Sequence, residues 1–319
     1  MNLYKMSFHT SLIVLNEPRQ FGDVESVIHS DTLYSAIWSL WNWLFPGDKI
    51  FLEDEIVNNF ILSSAFPYYQ NKYFFPKPQS YFFKHNVHSS DQRKSEKKIQ
   101  FVEKAIFEKV LNGVKRDLSE IIIHQKAFAI TDKVNKKFFE RRTIEKNSLS
   151  RFTDASTKIF YETELEFNKD AGLFFFAEFK DESIKKKFES VLSLFGDEGI
   201  GLNRTTGHGA FRITADEIEL NLPNSNEYLV LSSYLPSKED MGIINFEDST
   251  YELYKRGGWI TNYSERNNIK KSVNMFKEGS VINSKGKLTG RICNLKPDGC
   301  KINIWRSGLF FGLPIIREV

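Results

Sequence analysis

Five glycines crowd into the fourteen residues from Gly196 to Gly209, and their place in the chain constrains the fold more than any other feature. Just upstream, Ile184, Phe188, Val191, Leu192 and Phe195 recur at the spacing of one apolar helix face, bounded by Ser183 and Gly196. Just downstream, residues 210–220 read as a strand. A Walker loop or a dinucleotide fingerprint runs strand, glycines, helix, which turns the helix N-terminus toward the phosphate. Here the order is reversed, so nucleotide hydrolysis and NAD binding lose their geometry. What remains is a loop, Gly199, Gly201, Gly207 and Gly209 with Arg204, Thr205, Thr206 and His208, in which bare backbone permits close approach. Its cation and hydroxyls suit the phosphates of a linear RNA backbone. The competing reading, a turn after a helix end at Gly196, accounts for one or two glycines only.

The remaining elements fall into an order. Residues 3–15 alternate and then run Leu12-Ile13-Val14-Leu15, a first strand. Ser30 or Asp31 is a natural N-cap for a helix carrying Leu33, Ala36, Ile37, Leu40 and Leu44, stopped by Pro46-Gly47. Residues 159–167 alternate, turn at 168–172 and continue into the apolar run 173–179, which predicts a hairpin. With the second helix and residues 210–220 the series is β-α-(insertion 46–157)-β-β-α-β, the ferredoxin-like arrangement of RNA-recognition domains. A helix over about 95–113 is expected inside the insertion. After residue 222 the pattern turns strand-like, with a hairpin over 287–305. The expected fold class is α+β: a ferredoxin-like (RRM-like) domain over 1–222 and a second, β-rich domain over 223–319.

Net charge is only +3, but it is unevenly spread. Residues 84–98 hold five Lys or Arg against two acids, 133–158 eight against three, and 255–271 five against one. These segments carry +12 together, leaving the rest of the chain at −9. Local basic excess on an acidic remainder fits a polyanion on one surface and other partners elsewhere. From these segments come Arg141, Arg142, Arg151, Arg256, Lys270 and Lys271 as candidate phosphate contacts. Trp259 follows Arg256 and two glycines, which suits base stacking, although a core role fits equally. Trp38, Trp41 and Trp43, on the first helix, are assigned to packing.

Catalysis is the weaker reading. His29 and His208, each beside a loop expected to face RNA, are the candidates for metal-independent RNA cleavage, but neither belongs to a recognisable acid–base pair. His29 and Ser30 are therefore read as RNA contacts. His85 and His88 form H-x-x-H without further ligands at metal spacing, so no metal or cofactor is expected. Two cysteines, Cys293 and Cys300, are too few to staple a secreted fold of this size. No run of 18 apolar residues occurs, so a cytoplasmic protein without a membrane partner is expected.

Several stretches, in their order, resemble a known family. They are His29-Ser30-Asp31-Thr32-Leu33, Ala65-Phe66-Pro67-Tyr68, Phe75-Pro76-Lys77-Pro78, residues 147–153 (NSLSRFT), the glycine loop, Arg256-Gly257-Gly258-Trp259 and residues 275–281 (MFKEGSV). The chain is similar to the RAMP proteins of CRISPR effectors, and among them to the fourth-subunit group of type III-A (Csm) complexes. That resemblance implies an RNA-binding scaffold without catalysis. It implies binding of the repeat-derived 5′ tag of the guide RNA, beside the large polymerase-like subunit and against the repeated backbone RAMP subunit. It also implies a second ferredoxin-like domain, and a thumb over 138–158 that splays the guide–target RNA duplex. The equivalent subunit of a type III-B complex and a guide-processing endoribonuclease using His29 or His208 are the alternatives. Asp31 resembles in position the aspartate with which sister subunits cut target RNA, with helix capping the simpler account.

Overall fold

The computed structural model describes residues 1–14, 24–48, 59–79, 94, 96–114, 120–149, 156–260 and 268–317. It is an α+β protein, rich in sheet and poor in helix. The first half contains β1 (Asn2–Phe8), α1 (Ser30–Leu44), β2 (Phe60–Leu62), β3 (Phe66–Tyr69), β4 (Lys72–Pro76), β5 (Phe101–Glu103) and α2 (Lys104–Leu111). There follow β6 (Ile122–His124), β7 (Phe128–Ile130), β8 (Phe139–Leu149), β9 (Ser156–Phe167), β10 (Ala171–Phe179), α3 (Glu182–Glu198) and β11 (Phe211–Glu217). The main sheet runs β11-β1-β10-β3-β4-β5-β7-β6, with β2 also on β10.

β10 is the centre of this sheet. Its residues Leu173 to Ala177 are fully buried, which is why it reads as an unbroken apolar run instead of an alternating one. On one face Tyr4 touches both Phe175 and Phe188 of α3, and Phe60 meets Tyr34 and Trp41 of α1. Both helices therefore cover that face, and they pack on each other. On the other face Phe176 stacks on Phe311, with ring centres 5.9 Å apart, so the C-terminal region shares the same core.

Several expectations need correction. The strand beside β10 is β3, not residues 159–167, which pair with β8 to form a separate two-stranded arm. The insertion into the β-α-β-β-α-β series accordingly follows Tyr69 and not Pro46, and its strands β4 to β7 extend the same sheet. Ile99 and Val102 are not on a helix: Val102 lies in β5, and α2 starts only at Lys104. α1 is preceded by His29 with no side-chain cap, and Ser30 and Asp31 are already helical. α3 is capped by Asp181, which accepts from the Ile184 N–H at 2.9 Å, and ends at Gly199 instead of Gly196. Of the tryptophans on α1, Trp41 is buried but Trp43 is 70% exposed and packs little.

The C-terminal region holds β12 (Glu227–Val230), α4 (Lys238–Ile243), β13 (Ile244–Thr250), β14 (Leu253–Arg256), β15 (Val273–Phe276) and β16 (Val281–Ser284). β17 (Gly290–Asn294), β18 (Trp305–Leu309) and β19 (Gly312–Pro314) complete it. Its four-stranded sheet runs β13-β16-β12-β19, and β17 and β18 form the hairpin expected near its end. β12 serves two cores: Leu229 faces the main one, while Val230 joins Tyr234, Phe276, Ile282 and Phe310 in a second.

Candidate functional site

The glycine loop is a rigid frame with an exposed tip. Gly199, Gly201, Gly207 and Gly209 all have positive φ, a region that side chains with a Cβ rarely adopt. A Cβ on Gly209 would lie 1.9 Å from the Ile200 carbonyl oxygen, and one on Gly201 would lie 2.4 Å from that of Ile13. The chain closes on itself there: Gly209 N–H donates to Ser11 O at 2.8 Å and Leu202 N–H to Ile13 O at 2.9 Å. Gly201 thus admits the backbone of the segment that follows β1, while Gly199 and Gly209 let the two sides of the loop close on each other. Gly207 differs, because nothing lies within 4 Å of where its Cβ would be. It follows a single 3-10 turn, Arg204–Thr206, whose three residues are exposed. Thr206 Oγ1 donates to Asn203 O at 2.8 Å, and Arg204 and Thr205 are exposed beside it. His208 is half-buried, 3.3 Å from Glu164 and 3.3 Å from Thr206 Oγ1.

The loop leans on the root of the β8–β9 arm. Asn203 donates to both oxygens of Glu162 at 2.9 Å, and Ser11 donates to Glu164 at 2.7 Å. The arm is a long antiparallel ladder, from Phe139 opposite Phe167 to Leu149 opposite Ser156. Its root is packed through Phe139 and Leu165, whereas Leu149, Ile159 and Tyr161 are 61%, 56% and 59% exposed farther out. The thumb expected over 138–158 takes in β8 and the start of β9, and β9 continues to Phe167. Arg141 and Arg142 are exposed on it, while Arg151 lies outside the described residues. His85 and His88 also lie outside them.

His29, Ser30 and Arg256, expected at the RNA surface, are buried and fully engaged. Asp31 is completely buried and takes Arg256 in a two-point contact, Nε at 3.0 Å and Nη2 at 2.9 Å, with Arg306 on the same carboxylate. Burial alone would raise the Asp31 pKa, but the two guanidiniums hold it far below the usual carboxylate range. His29 lies between Glu278, 2.9 Å from Nδ1, and Glu25, 2.7 Å from Nε2. Burial pulls its pKa down, but Glu278 and the two hydrogen bonds outweigh it and raise it to about 9. Ser30 Oγ accepts from Ser233 N–H at 2.9 Å, and Ser64 Oγ donates to Glu278. These residues pin the start of α1 to β14, β18 and the turn before β16. An Asp31 held this way has no oxygen free for RNA.

The third basic segment is mixed. Trp259 is 50% exposed, beside Ile269 through an isolated bridge. Lys271 is exposed and pairs with Asp298 at 2.7 Å. Lys270 is half-buried, and burial together with Arg306 and Arg256 lowers its pKa to about 8. Sequence reading missed Glu25, Glu278, Ser233 and Arg306 as members of the buried cluster. Glu278 stands inside the 275–281 motif and was the one with a visible signal.

Residues 223–315 match the CRISPR Csm4 C-terminal domain. The CRISPR system Cms protein Csm4 of Thermococcus onnurineus is 24% identical over 267 residues, covering 82% of this chain and 83% of the relative. Its counterpart from Mycobacterium tuberculosis is 27% identical over 263 residues, covering 79% of each. Among solved structures, a chain of the Csm3–Csm4 subcomplex of the type III-A CRISPR-Cas interference complex superimposes with a TM-score of 0.68. It is 18% identical, with 99% of this chain and 100% of that one covered. A chain of the Csm1–Csm4 cassette in complex with pppApA gives 0.62 at 17% identity, covering 99% and 98%. The fold is thus shared over the whole length. The chain resembles Csm4 of type III-A CRISPR complexes, and its residues 223–315 match the Csm4 C-terminal domain.

Proposed function

We propose that the chain is a noncatalytic RNA-binding scaffold subunit of a type III-A CRISPR interference complex. It binds the repeat-derived 5′ tag of the guide RNA and caps the assembly beside the large polymerase-like subunit, against the repeated backbone subunit. The carrying observation is the exposed Arg204–Gly207 tip on a frame that fixes its backbone. A preorganised cationic tip loses little entropy on meeting phosphate. The partner reading is supported by chains of this fold having been solved with Csm3 and with Csm1. Two units, 1–222 and 223–319, fit this role. A ferredoxin-like reading of the first is supported by the order β11-β1-β10-β3 with α1 and α3 on one face. The noncatalytic part rests on Asp31 and His29 being bound up in buried ion pairs.

Arg204→Glu should weaken tag-RNA affinity about tenfold or more with an unchanged melting curve, and should flatten the log-affinity against log-salt line by about one unit. Deleting 207–209 is a poorer probe, because it removes the Gly209 bonds that frame the loop. Unchanged affinity for Arg204→Glu would remove the loop from the interface. RNA cut in EDTA, with cutting lost in His208→Ala, would favour the endoribonuclease reading.

The arm makes a second expectation. Replacing 145–161 by a tight turn keeps the packed root, so stability and tag affinity should stay within error. Handling of the base pairs next to the tag should change if the arm is the thumb. A large loss of stability on trimming would make the outer arm part of the core.

A further inference from the structure

The stretch Arg256-Gly257-Gly258-Trp259 meets Lys270 and Arg306 just outside the buried carboxylate of Asp31. Asp31 Oδ2 takes both Arg256 Nε and Arg306 Nη1, so the two guanidiniums share one oxygen. The two carbonyls that follow Arg256 bring the third cation alongside. Arg306 Nη2 donates to Gly257 O at 3.0 Å, and the Lys270 N–H donates to Gly258 O at 2.9 Å. The ammonium of Lys270 is half-buried and has no hydrogen-bond or ion-pair partner among the described residues. Burial first, and then Arg306 and Arg256 against the pull of Asp31, lower its pKa to about 8. Three cations thus surround one carboxylate, an excess of two positive charges. Glu278, which also acts on Arg256, is occupied by His29.

This excess is open to solvent. Arg306 commits Nη1 and Nη2 and leaves Nε without an acceptor among the described residues. Among those residues the sole fully buried side-chain nitrogen or oxygen without a partner is His124 Nε2, so the spare donors of Arg306 and Lys270 reach the surface. Beside them Trp259 is 50% exposed and bridged to Ile269, the residue before Lys270. Spare donors in an excess of positive charge suit an oxyanion, and an exposed indole next to them suits a flat ring. We propose that this corner binds one nucleotide unit of single-stranded RNA, its phosphate on Lys270 and Arg306 and its base on Trp259. Arg256, buried behind them, adds charge without contact. It is a second contact besides the Arg204 tip and rests on the RNA-binding reading above, whereas a free nucleotide presents the same chemistry.

The test uses the full chain with a short tag-sequence RNA and, separately, AMP. Lys270→Met should flatten the log-affinity against log-salt line for RNA by about one unit, because one phosphate contact is lost. Trp259→Ala should weaken RNA binding about tenfold and leave the slope unchanged, because stacking of a base releases no counterion. Neither variant should lower the melting temperature, since one removes a half-buried charge and the other an exposed ring. Acetic anhydride acylates neutral amines, so at pH 8 peptide mass spectrometry should find Lys270 modified in the free chain and protected by either ligand. Protection by RNA together with both binding changes supports the proposal in full. Protection by AMP, with no RNA bound anywhere, keeps the site and overturns the RNA-binding reading. Arg204-dependent RNA binding that neither variant alters overturns the site and leaves that reading standing.

Discussion

Asp31→Ala should cost about 3–5 kcal/mol of stability, because removing one partner of a buried ion pair strands the other charge. Here one carboxylate holds two guanidiniums, Arg256 and Arg306, which are 9% and 8% exposed. Neither has another carboxylate contact among the described residues; Arg256 also donates to Thr32 Oγ1 at 3.1 Å and Arg306 to Gly257 O at 3.0 Å. Those neutral acceptors would keep their hydrogen bonds and leave the charge uncompensated. Asp31 also occupies the first turn of α1, where an acid is favoured by the helix dipole. The triple variant Asp31→Leu/Arg256→Met/Arg306→Met should be less damaging than Asp31→Ala alone, since it removes all three charges and strands neither guanidinium. Denaturant midpoints at constant slope would measure both. An Asp31→Ala midpoint equal to the parent's would show that the cluster contributes nothing to holding the two regions together.

Such a cluster leaves no periodic trace in a sequence. Asp31, Arg256, Glu278 and Arg306 are distant in the chain and each, taken alone, is a residue type usually found at the surface. His29, Ser30 and Arg256 accordingly read as RNA contacts. α3 was legible because its apolar face repeats within one window, and Ile184, Phe188, Val191, Leu192 and Phe195 are all buried as that spacing requires. β8 was not, since Arg141, Arg142, Glu145 and Asn147 are exposed and give no alternation; its backbone ladder with β9 sets the strand. β3 was hidden by its shortness, four buried residues including Pro67, and by pairing with a strand about a hundred residues later. The glycine motif was visible, but its purpose was ambiguous. Positive φ and close approach call for glycine whether the neighbour is RNA or, as at Gly209, the protein's own backbone.

The stability of the chain should fall as pH rises through about 9, because His29 is a stabilising imidazolium. Its pKa is raised from 6.5 to about 9 in the folded chain. The native state therefore holds a proton that the unfolded state has released across that interval. The contribution is complete below 6.5, declines above it and is lost once the pH passes about 9. Its size is on the order of 3 kcal/mol, from about 1.4 kcal/mol per pKa unit. Lys270 works in the opposite sense: its folded pKa of about 8 lies below its usual value, so its linkage makes stability rise with pH above 8. The comparison is therefore made in a Lys270→Met background, with and without His29→Gln. Glutamine retains one donor for Glu278 or Glu25 but never carries charge. The gap in denaturant midpoint between the two proteins should be widest at pH 6 and close by pH 10. A gap of equal size at both ends would mean that His29 holds its two glutamates by hydrogen bonds alone, whatever its charge.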